Sequence, residues 1–175
     1  MLPLGKGTVS VYVNNSLRKS YTRPANPATT WVLTEASSTG SGVVTGGFEQ
    51  AINADSWFVT VTRQSDGTIL LDGNFRRVST MGNAMKLFLR RHYSGTTAGT
   101  EKVYLYDWSS ASYPYGNWVQ FSVMPVPQSP AIATLTIDQP WKYIDPEGTV
   151  YLRIVASETT DGAVMNLDQA QLRDW

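Results

Sequence analysis

An aromatic-rich stretch is the part of the sequence whose side chains could bind a ligand. Residues 106–119 read YDWSSASYPYGNWV and hold five aromatic rings in fourteen positions. An exposed ring can stack on the C–H face of a sugar when planar polar groups nearby supply hydrogen bonds. Tyr113 and Tyr115 flank Pro114, which stiffens the loop and keeps the two rings apart. We therefore predict that both tyrosines bind a ligand; the alternative is that they cover the end of the fold.

The segment that leads into this stretch separates aliphatic from aromatic side chains. In residues 102–108, Val103 and Leu105 alternate with Tyr104 and Tyr106, and successive side chains of a strand point to opposite faces. If the aliphatic side is the core, the tyrosines form an outer face that something covers or contacts. A loop or the N-terminal segment of the same chain, a ligand, and a neighbouring subunit all remain open as that cover. The predicted ligand-binding residues are Tyr113, Tyr115, Asn117, Arg90, Tyr104 and Tyr106.

Catalytic chemistry has few candidate residues. The chain has one histidine, His92, and no cysteine, which excludes thiolate catalysis, disulfides and a metal site with several histidines. Glycoside hydrolysis needs two carboxyl groups that face one sugar, and each acidic candidate falls at a predicted turn or strand end, where Asp is common anyway. These candidates are Asp107, Asp138, Asp145, Glu147, Asp161 and Asp168. We predict that the chain is not an enzyme.

Charge and hydropathy narrow the possible partners. The 175 residues include 14 basic and 14 acidic side chains, so the excess of positive charge that nucleic acids attract is missing. No apolar run approaches the roughly 18 residues of a membrane helix, so we expect no membrane insertion. The first residues, MLPLGKGTVS, lack the apolar stretch of a signal peptide. Both a protein released without such a signal and a domain cut from a longer protein remain open.

The elements that must position these side chains are β-strands. Short alternating segments recur between turn signals, and about ten strands at this spacing predict a sandwich or barrel. The predicted strands are 8–13, 29–34, 57–63, 68–72, 85–93, 102–108, 118–124, 132–137, 150–157 and 165–173. Tyr151 and Arg153 fall on the outer side of one of them. Asp72-Gly73-Asn74 is typical of a turn, residues 48–54 are helix-like, and the contexts of Trp57 and Trp141 indicate core residues.

Three segments in order resemble a known family. They are KVYLYDWSS followed by NWVQFS, then WKYIDPEGTVYLRIVAS, then MNLDQAQL. Over residues 30–172 they are similar to the galactose-binding-like jelly-roll domains of secreted bacterial and archaeal proteins, which are relatives of carbohydrate-binding modules. The resemblance implies an all-β jelly-roll β-sandwich of two antiparallel sheets with an extra N-terminal strand or hairpin. We predict an accessory strand segment over residues 1–25 and a jelly-roll domain over residues 26–175.

The resemblance also implies structural roles for particular residues. Tryptophans recur at the positions of Trp108 and Trp118 whatever the loop between them, which implies a structural pair that closes the hairpin. The loop at 109–117 is then the variable part. Residues 145–148 are implied to form a tight turn in which Asp145 accepts hydrogen bonds from backbone amides.

A calcium ion is a further implication of the resemblance. Jelly-roll domains of this type often hold a structural Ca²⁺ with oxygens from an early strand or loop and from an aspartate on the last strand. Asp168 matches the last-strand position, and Glu35 is the predicted early partner, with Glu49 and Asp55 as alternatives.

Together these observations predict a non-catalytic module for binding or adhesion, at the cell surface or outside the cell, with a carbohydrate or cell-surface glycan as its ligand. The low charged fraction of 16% and the many aromatic and glycine residues are typical of such all-β domains. The alternative is a self-assembling structural subunit of a filament, surface layer or virion. In that alternative the N-terminal strand and the aromatic face make the contacts between subunits.

Overall fold

The computed structural model describes residues 8–13, 16–22, 30–52, 58–79, 84–95, 98–109 and 116–174. For residues 8–13, 16–22 and 48 it describes the backbone alone. Across these ranges the regular structure is β, apart from two short 3₁₀ helices, Phe48–Ala51 and Pro140–Lys142. No helix in the described residues is both long and apolar enough to cross a membrane.

The described residues form thirteen strands, numbered here in chain order. The N-terminal pair, β1 (Thr8–Val13) and β2 (Ser16–Thr22), makes an antiparallel hairpin. Three very short strands follow: β3 (Thr30–Val32), β4 (Glu35–Ser37) and β5 (Val44–Thr45). The remaining strands are β6 (Val59–Thr62), β7 (Ile69–Phe75), β8 (Ala84–Ser94), β9 (Thr100–Asp107), β10 (Asn117–Pro125), β11 (Ala131–Asp138), β12 (Val150–Ser157) and β13 (Val164–Asp174).

These strands build the jelly-roll β-sandwich that the sequence predicted. One layer is a five-stranded sheet in the order β10-β9-β12-β7-β4, and the other has the order β11-β8-β13-β6-β5, with β3 also paired to β13. All of the pairings are antiparallel. The N-terminal hairpin forms a separate two-stranded sheet, which confirms the extra N-terminal element.

The core lies between the two sheets and is filled by alternate side chains of the long strands. Val103 and Leu105 of β9 are fully buried, as are Leu152 and Ile154 of β12, whereas the residues between them keep partial exposure. The aliphatic side of each strand is therefore the inner side, as its alternation predicted. The aromatic and polar side chains of the same strands lie on the outside of the five-stranded sheet.

A buried ion pair crosses the core between the two layers. Arg91 of β8 and Glu101 of β9 have side-chain exposures of 2% and 0%. Arg91 Nε donates to both carboxylate oxygens, at 3.0 and 3.1 Å, and the Tyr93 hydroxyl donates to the same carboxylate at 2.7 Å. Burial, and then the negative charge of Glu101, raise the pKa of Tyr93 well above its ordinary value.

The structure confirms the predicted turn before β12. Asp145 Oδ1 accepts hydrogen bonds from the backbone amides of Glu147 at 2.9 Å and Thr149 at 2.7 Å. Gly148 adopts a φ of 82° there, a left-handed conformation that glycine accepts without strain. Asp145 therefore organises the backbone that leads into β12, which is the role that the resemblance implied.

Two local predictions were wrong. Asp72-Gly73-Asn74 is not a turn, because these residues lie inside β7. A Cβ on Gly73 would come within 2.7 Å of Leu33 Cδ1, so the glycine permits a close approach of neighbouring chain rather than a change of direction. Trp141 was predicted in the core but is 61% exposed. The second 3₁₀ helix buries Pro140 instead and turns the tryptophan outward.

The helix-like segment predicted at 48–54 corresponds to the 3₁₀ helix Phe48–Ala51. Trp57, the other predicted core tryptophan, lies outside the described residues.

Candidate functional site

Two rows of side chains run across the outer face of the five-stranded sheet. Strand register places their members side by side from β10 through β9, β12 and β7 to β4. The first row is Trp118, Tyr106, Tyr151, Asn74 and Glu35, and the second row is Gln120, Tyr104, Arg153, Asp72 and Ser37. Aromatic rings therefore concentrate on β10, β9 and β12, and carboxylate, amide and hydroxyl groups on β7 and β4. We call this surface the ring-and-polar face.

The aromatic half of this face is one cluster centred on Tyr106. Its ring centroid lies 4.6 Å from that of Trp108, 5.2 Å from that of Trp118 and 6.4 Å from that of Tyr151, all in edge-to-face geometry. Trp108 and Tyr151 are 5.7 Å apart. Such contacts hold the rings in fixed orientations. All four side chains keep part of their surface exposed.

Arg153 joins the aromatic half to the polar half. Its guanidinium carbon lies 4.3 Å from the centroid of the Trp118 ring. On its other side, Nε and Nη2 donate to the two carboxylate oxygens of Asp72 at 2.6 and 2.8 Å. The hydrogen bond with Asp72 raises the pKa of Arg153, and the two parallel bonds hold its guanidinium in the fork geometry. Arg153 therefore holds the Trp118 ring, and Asp72 of β7 holds Arg153.

A cleft of about 260 Å³ lies where the two halves meet. It is lined by Trp118 and Tyr151, by the backbone around Gly73 and Leu152, and by Glu35, Ser37, Asp72 and Asn74. Small-molecule sites usually have volumes of roughly 300–1,000 Å³, so this cleft is near the lower end and has room for about one sugar ring. One side is aromatic and the other is polar.

Hydrogen bonds fix the polar side of the cleft. Asn74 Nδ2 donates to Glu35 Oε2 at 2.7 Å, and Thr34 Oγ1 donates to Asn74 Oδ1 at 2.6 Å. Glu35 also pairs with Arg76. The carboxylate of Glu35 and the amide of Asn74 are therefore oriented before any ligand arrives, and their remaining lone pairs and N–H group can bond to a ligand.

Tyr151 supplies a hydroxyl group that stays protonated beside the cleft. Burial is the largest cause that raises its pKa, and the charges of Asp145, Glu147 and Glu35 raise it further, whereas Arg76 lowers it. The neutral phenol can both donate and accept a hydrogen bond. Its ring and its hydroxyl thus offer both kinds of contact from a single residue.

The hairpin between β9 and β10 brings Trp118 opposite Tyr106, and not opposite Trp108. Tyr106 contacts both tryptophan rings, so the structural pair that the resemblance implied is joined through a third ring. Gly116 lies against this ring, because a Cβ there would come within 2.5 Å of Tyr106 Cε1. At the start of the loop, Asp107 Oδ1 accepts hydrogen bonds from the amide and hydroxyl of Ser109, both at 2.7 Å.

The structure brings together some of the predicted ligand-binding residues. Tyr104 and Tyr106 both lie on the ring-and-polar face, and Asn117 begins β10 beside it, opposite Asp107. Tyr113 and Tyr115 lie outside the described residues, so their role stays a prediction.

Arg90 is not part of this group. It belongs to β8 and points away from the core on the outside of the other sheet, where Arg90 Nε lies 3.1 Å from Asp168 Oδ2. Its neighbour Arg91 has the inward position. The sequence LRRHYSG does not reveal that both of its arginines belong to the sheet opposite the aromatic residues.

The two residues predicted to bind calcium do not meet. Asp168 lies on the outside of the sheet that contains β8, with its carboxylate only 3% exposed and paired to Arg90. Glu35 lies on the outside of the five-stranded sheet and pairs with Arg76. Arg90 faces Oδ2 of Asp168, whereas Oδ1 of the same carboxylate is buried without a hydrogen-bond partner. The described residues contain no group of three or more His, Asp or Glu side chains that could hold a metal, and the alternative partner Asp55 lies outside the described residues. The pair Asp168 and Glu35 therefore does not fit a shared calcium ion.

Sequence reasoning missed several residues of the cleft. Asp72 and Asn74 were placed in a turn, Trp118 was taken as structural, and Glu35 was taken as a metal ligand. One signal for Asp72 was present in the sequence. Asp72 and Arg153 carry opposite charges, and both lie at outward positions of long strands. Without the strand order, however, no sequence pattern shows that β7 lies next to β12.

Comparison with known proteins supports the fold. No family model matches the sequence, and no curated protein matches it. Among solved structures, the chain is similar to the CBM22-1–GH10 modules of endo-1,4-β-D-xylanase 10B from Clostridium thermocellum complexed with xylohexaose. The TM-score is 0.53 at 14% identity, over 82% of this chain and 26% of that longer chain. It is also similar to the CBM22-1 xylan-binding domain of Paenibacillus barcinonensis Xyn10C, with a TM-score of 0.51 at 12% identity over 83% and 92% of the two chains.

Proposed function

We propose that this chain, which has the β-sandwich fold of carbohydrate-binding modules, is a non-catalytic module that binds a carbohydrate on its ring-and-polar face. The observation that carries the proposal is the cleft between Trp118 and Tyr151 on one side and Glu35, Asp72 and Asn74 on the other. Sugars have apolar C–H faces and hydroxyl rims. A surface with fixed rings next to fixed planar polar groups complements both.

The proposed contacts divide between the two sides of the cleft. The C–H face of a sugar ring packs against Trp118 and Tyr151, which are already oriented by neighbouring rings and by Arg153. The hydroxyl groups bond to Asn74 and Glu35, whose side chains are already fixed by one another. Because both sides are pre-organised, little conformational entropy is lost when the ligand binds.

The partners of the two cleft carboxylates support a role in binding without catalysis. Asp72 is bonded to Arg153 through both oxygens, and Glu35 is bonded to Arg76 and Asn74. A glycosidase needs one carboxyl that gives a proton to the leaving group and a second that attacks or activates water. Two carboxylates held as ion pairs are arranged for structure and hydrogen bonding instead.

Xylan is the first ligand to test. The proposed location is the cell surface or the extracellular space, where a protein encounters polysaccharides. One similar structure is a xylan-binding domain and the other was solved with xylohexaose. The assay uses xylan within a panel of neutral plant and bacterial polysaccharides.

The test is affinity electrophoresis in native gels that contain each polysaccharide. We expect at least one polysaccharide to retard the wild-type chain, and Trp118→Ala to weaken retardation by about tenfold or more, the equivalent of ~1.4 kcal/mol. Phe88→Ala is the matched control, since Phe88 also stacks on an arginine, with Arg173 at 4.2 Å, but on the other sheet. Equal retardation of wild type and Trp118→Ala would refute the proposed face. Self-association that depends on Trp118, without retardation, would favour the assembly alternative.

A further inference from the structure

The edge strands of the two sheets differ in how well they are protected against pairing with another chain. An unprotected edge exposes a row of backbone N–H and C=O groups to which a foreign strand can bond. At three edge positions the strands are only two or three residues long, namely β3, β4 and β5. On β10 the register shifts between Gln120 and Ser122, and the strand ends in Pro125. Short length, a bulge and a proline are the usual protections.

The remaining edge, β11, has none of these protections. Among the strands that the structure describes, it pairs with β8 alone, in unbroken register from Ala131 opposite Arg91 to Asp138 opposite Ala84. Its sequence, AIATLTID, contains no Lys, Arg or Pro. Its outward positions are exposed and carry only Ile, Thr and one terminal Asp, and Ile132 is 67% exposed.

We propose that β11 pairs with β11 of a second copy of this chain, in antiparallel orientation about a two-fold axis, and joins two sheets into one. Pairing about a two-fold axis places the same strand opposite itself, so the strand must not repel its own copy. Near the centre of the pair, Thr134 of one copy lies opposite Thr136 of the other, and Thr–Thr pairs are favourable across strands.

Charge favours a second copy as the partner. Asp138 is the only charged residue of β11, and it lies at one end of the strand. In the antiparallel pair the two copies of Asp138 lie at opposite ends, roughly 20 Å apart at about 3.4 Å per residue, and each lies opposite Ile132 of the other copy, so they do not repel each other. At the other end, the carbonyl of Ala131 already accepts a hydrogen bond from Arg91 Nη1 at 3.3 Å, so pairing is expected over residues 132–138.

The proposed dimer leaves the ring-and-polar face open on both copies. That face belongs to the five-stranded sheet, whereas β11 is the edge of the other sheet. A dimer therefore presents two equivalent faces, and a polymer that spans both is held by avidity. The pairing does not depend on the proposed function, because it needs only backbone groups and neutral side chains.

One strand pair buries less surface than the ~1,200 Å² of the smallest stable interfaces, so a weak, reversible dimer is expected. Sedimentation velocity from 5 to about 500 µM measures it on the full chain. The weight-average mass is expected to rise from 19.3 kDa towards twice that value.

Variants locate the contact. Thr134→Lys and Thr136→Lys each bring two like charges close together near the centre of the paired strands, and both are expected to stay monomeric. Val123→Lys is the matched control, because Val123 is a 54% exposed apolar residue on the protected edge strand β10, and it is expected to dimerise as wild type does. Circular dichroism checks that each variant is folded, and two separate β11 variants guard against one that fails to fold. A monomeric wild type at the highest concentration overturns the proposal. So does a dimer that survives both β11 variants, or one that Val123→Lys abolishes.

Discussion

Arg153 lies over the ring of Trp118, with its guanidinium carbon 4.3 Å from the ring centroid, although β9 separates the strands that carry the two residues. The two side chains therefore meet across the intervening strand. Asp72 holds the arginine through two hydrogen bonds. The contacts that join Asp72, Arg153 and Trp118 set the orientation of the Trp118 ring at the edge of the cleft.

Replacing Arg153 with lysine tests these contacts directly. Lysine keeps the positive charge but cannot make the two-pronged bond to Asp72 or stack as a plane on Trp118. We expect glycan affinity to fall about fivefold to tenfold, or ~1 kcal/mol, in affinity electrophoresis or calorimetry. Arg173→Lys, which alters the equivalent stack on Phe88, is expected to bind as wild type does. Unchanged affinity of Arg153→Lys would show that the arginine does not position the ring.

Gly116 tests how tightly the aromatic cluster is packed. An alanine there would press its Cβ against the Tyr106 ring and the carbonyl oxygen of Asp107. Overpacking of this kind costs about 1–3 kcal/mol, so Gly116→Ala should lower the free energy of unfolding, weaken the near-ultraviolet circular dichroism of the rings and reduce glycan binding. Ser109→Ala, at the exposed start of the same loop, should leave the ring signal unchanged. An intact signal in Gly116→Ala would contradict the packing described here.

The ion pair between Arg91 and Glu101 predicts a large effect of one small change. Glu101→Gln leaves the guanidinium of Arg91 in the core without its counter-charge, which costs about 3–5 kcal/mol. Urea unfolding at neutral pH measures the difference. Asp161→Asn removes an exposed ion pair with Arg63 and should leave the unfolding free energy close to that of wild type. If both changes had equally small effects, the core ion pair would not be buried as the structure has it.

The double variant Arg91→Met with Glu101→Leu separates the two parts of that cost. It replaces both charges with apolar side chains of similar size and is expected to be much more stable than Glu101→Gln alone.

Tyr93 predicts how stability changes at alkaline pH. Its folded-state pKa is raised well above the ordinary value of 10.0, so the unfolded chain loses the phenolic proton first as pH rises. The stabilisation is fully present below about pH 10 and is lost as pH rises towards the folded-state pKa. Urea midpoints measured between pH 8 and about 11.5 should therefore fall above pH 10, and Tyr93→Phe should reduce the slope. A slope that is the same in both chains would contradict the burial of Tyr93 beside Glu101.

The fold was largely predictable because its signals are local. Alternation in β9 and β12 separated Val103 and Leu105 from the outward tyrosines, and turn residues marked most strand ends. The errors arose where tertiary contacts override local preference. Asp72-Gly73-Asn74 has turn composition, yet a close approach of Leu33 keeps the glycine inside a strand.

The site was less predictable than the fold because strand order decides it. Tyr104 and Tyr106 could be assigned to an outer face from one strand alone. That Arg153 meets Asp72 and Trp118 follows only from β12 lying between β9 and β7. The wrong placement of Arg90 beside the rings has the same origin, because Arg90 and Arg91 both belong to β8, which is part of the other sheet.

The most direct test of the central claim is a nuclear magnetic resonance titration of the ¹⁵N-labelled chain with an oligosaccharide of the polysaccharide that retards it, beginning with xylohexaose. We predict that the largest shifts fall on the indole N–H of Trp118 and on the amides of β12, β7 and β4 around Tyr151 and Asn74. Shifts confined to residues 110–115, or to the opposite sheet around Phe88, would contradict binding on the ring-and-polar face.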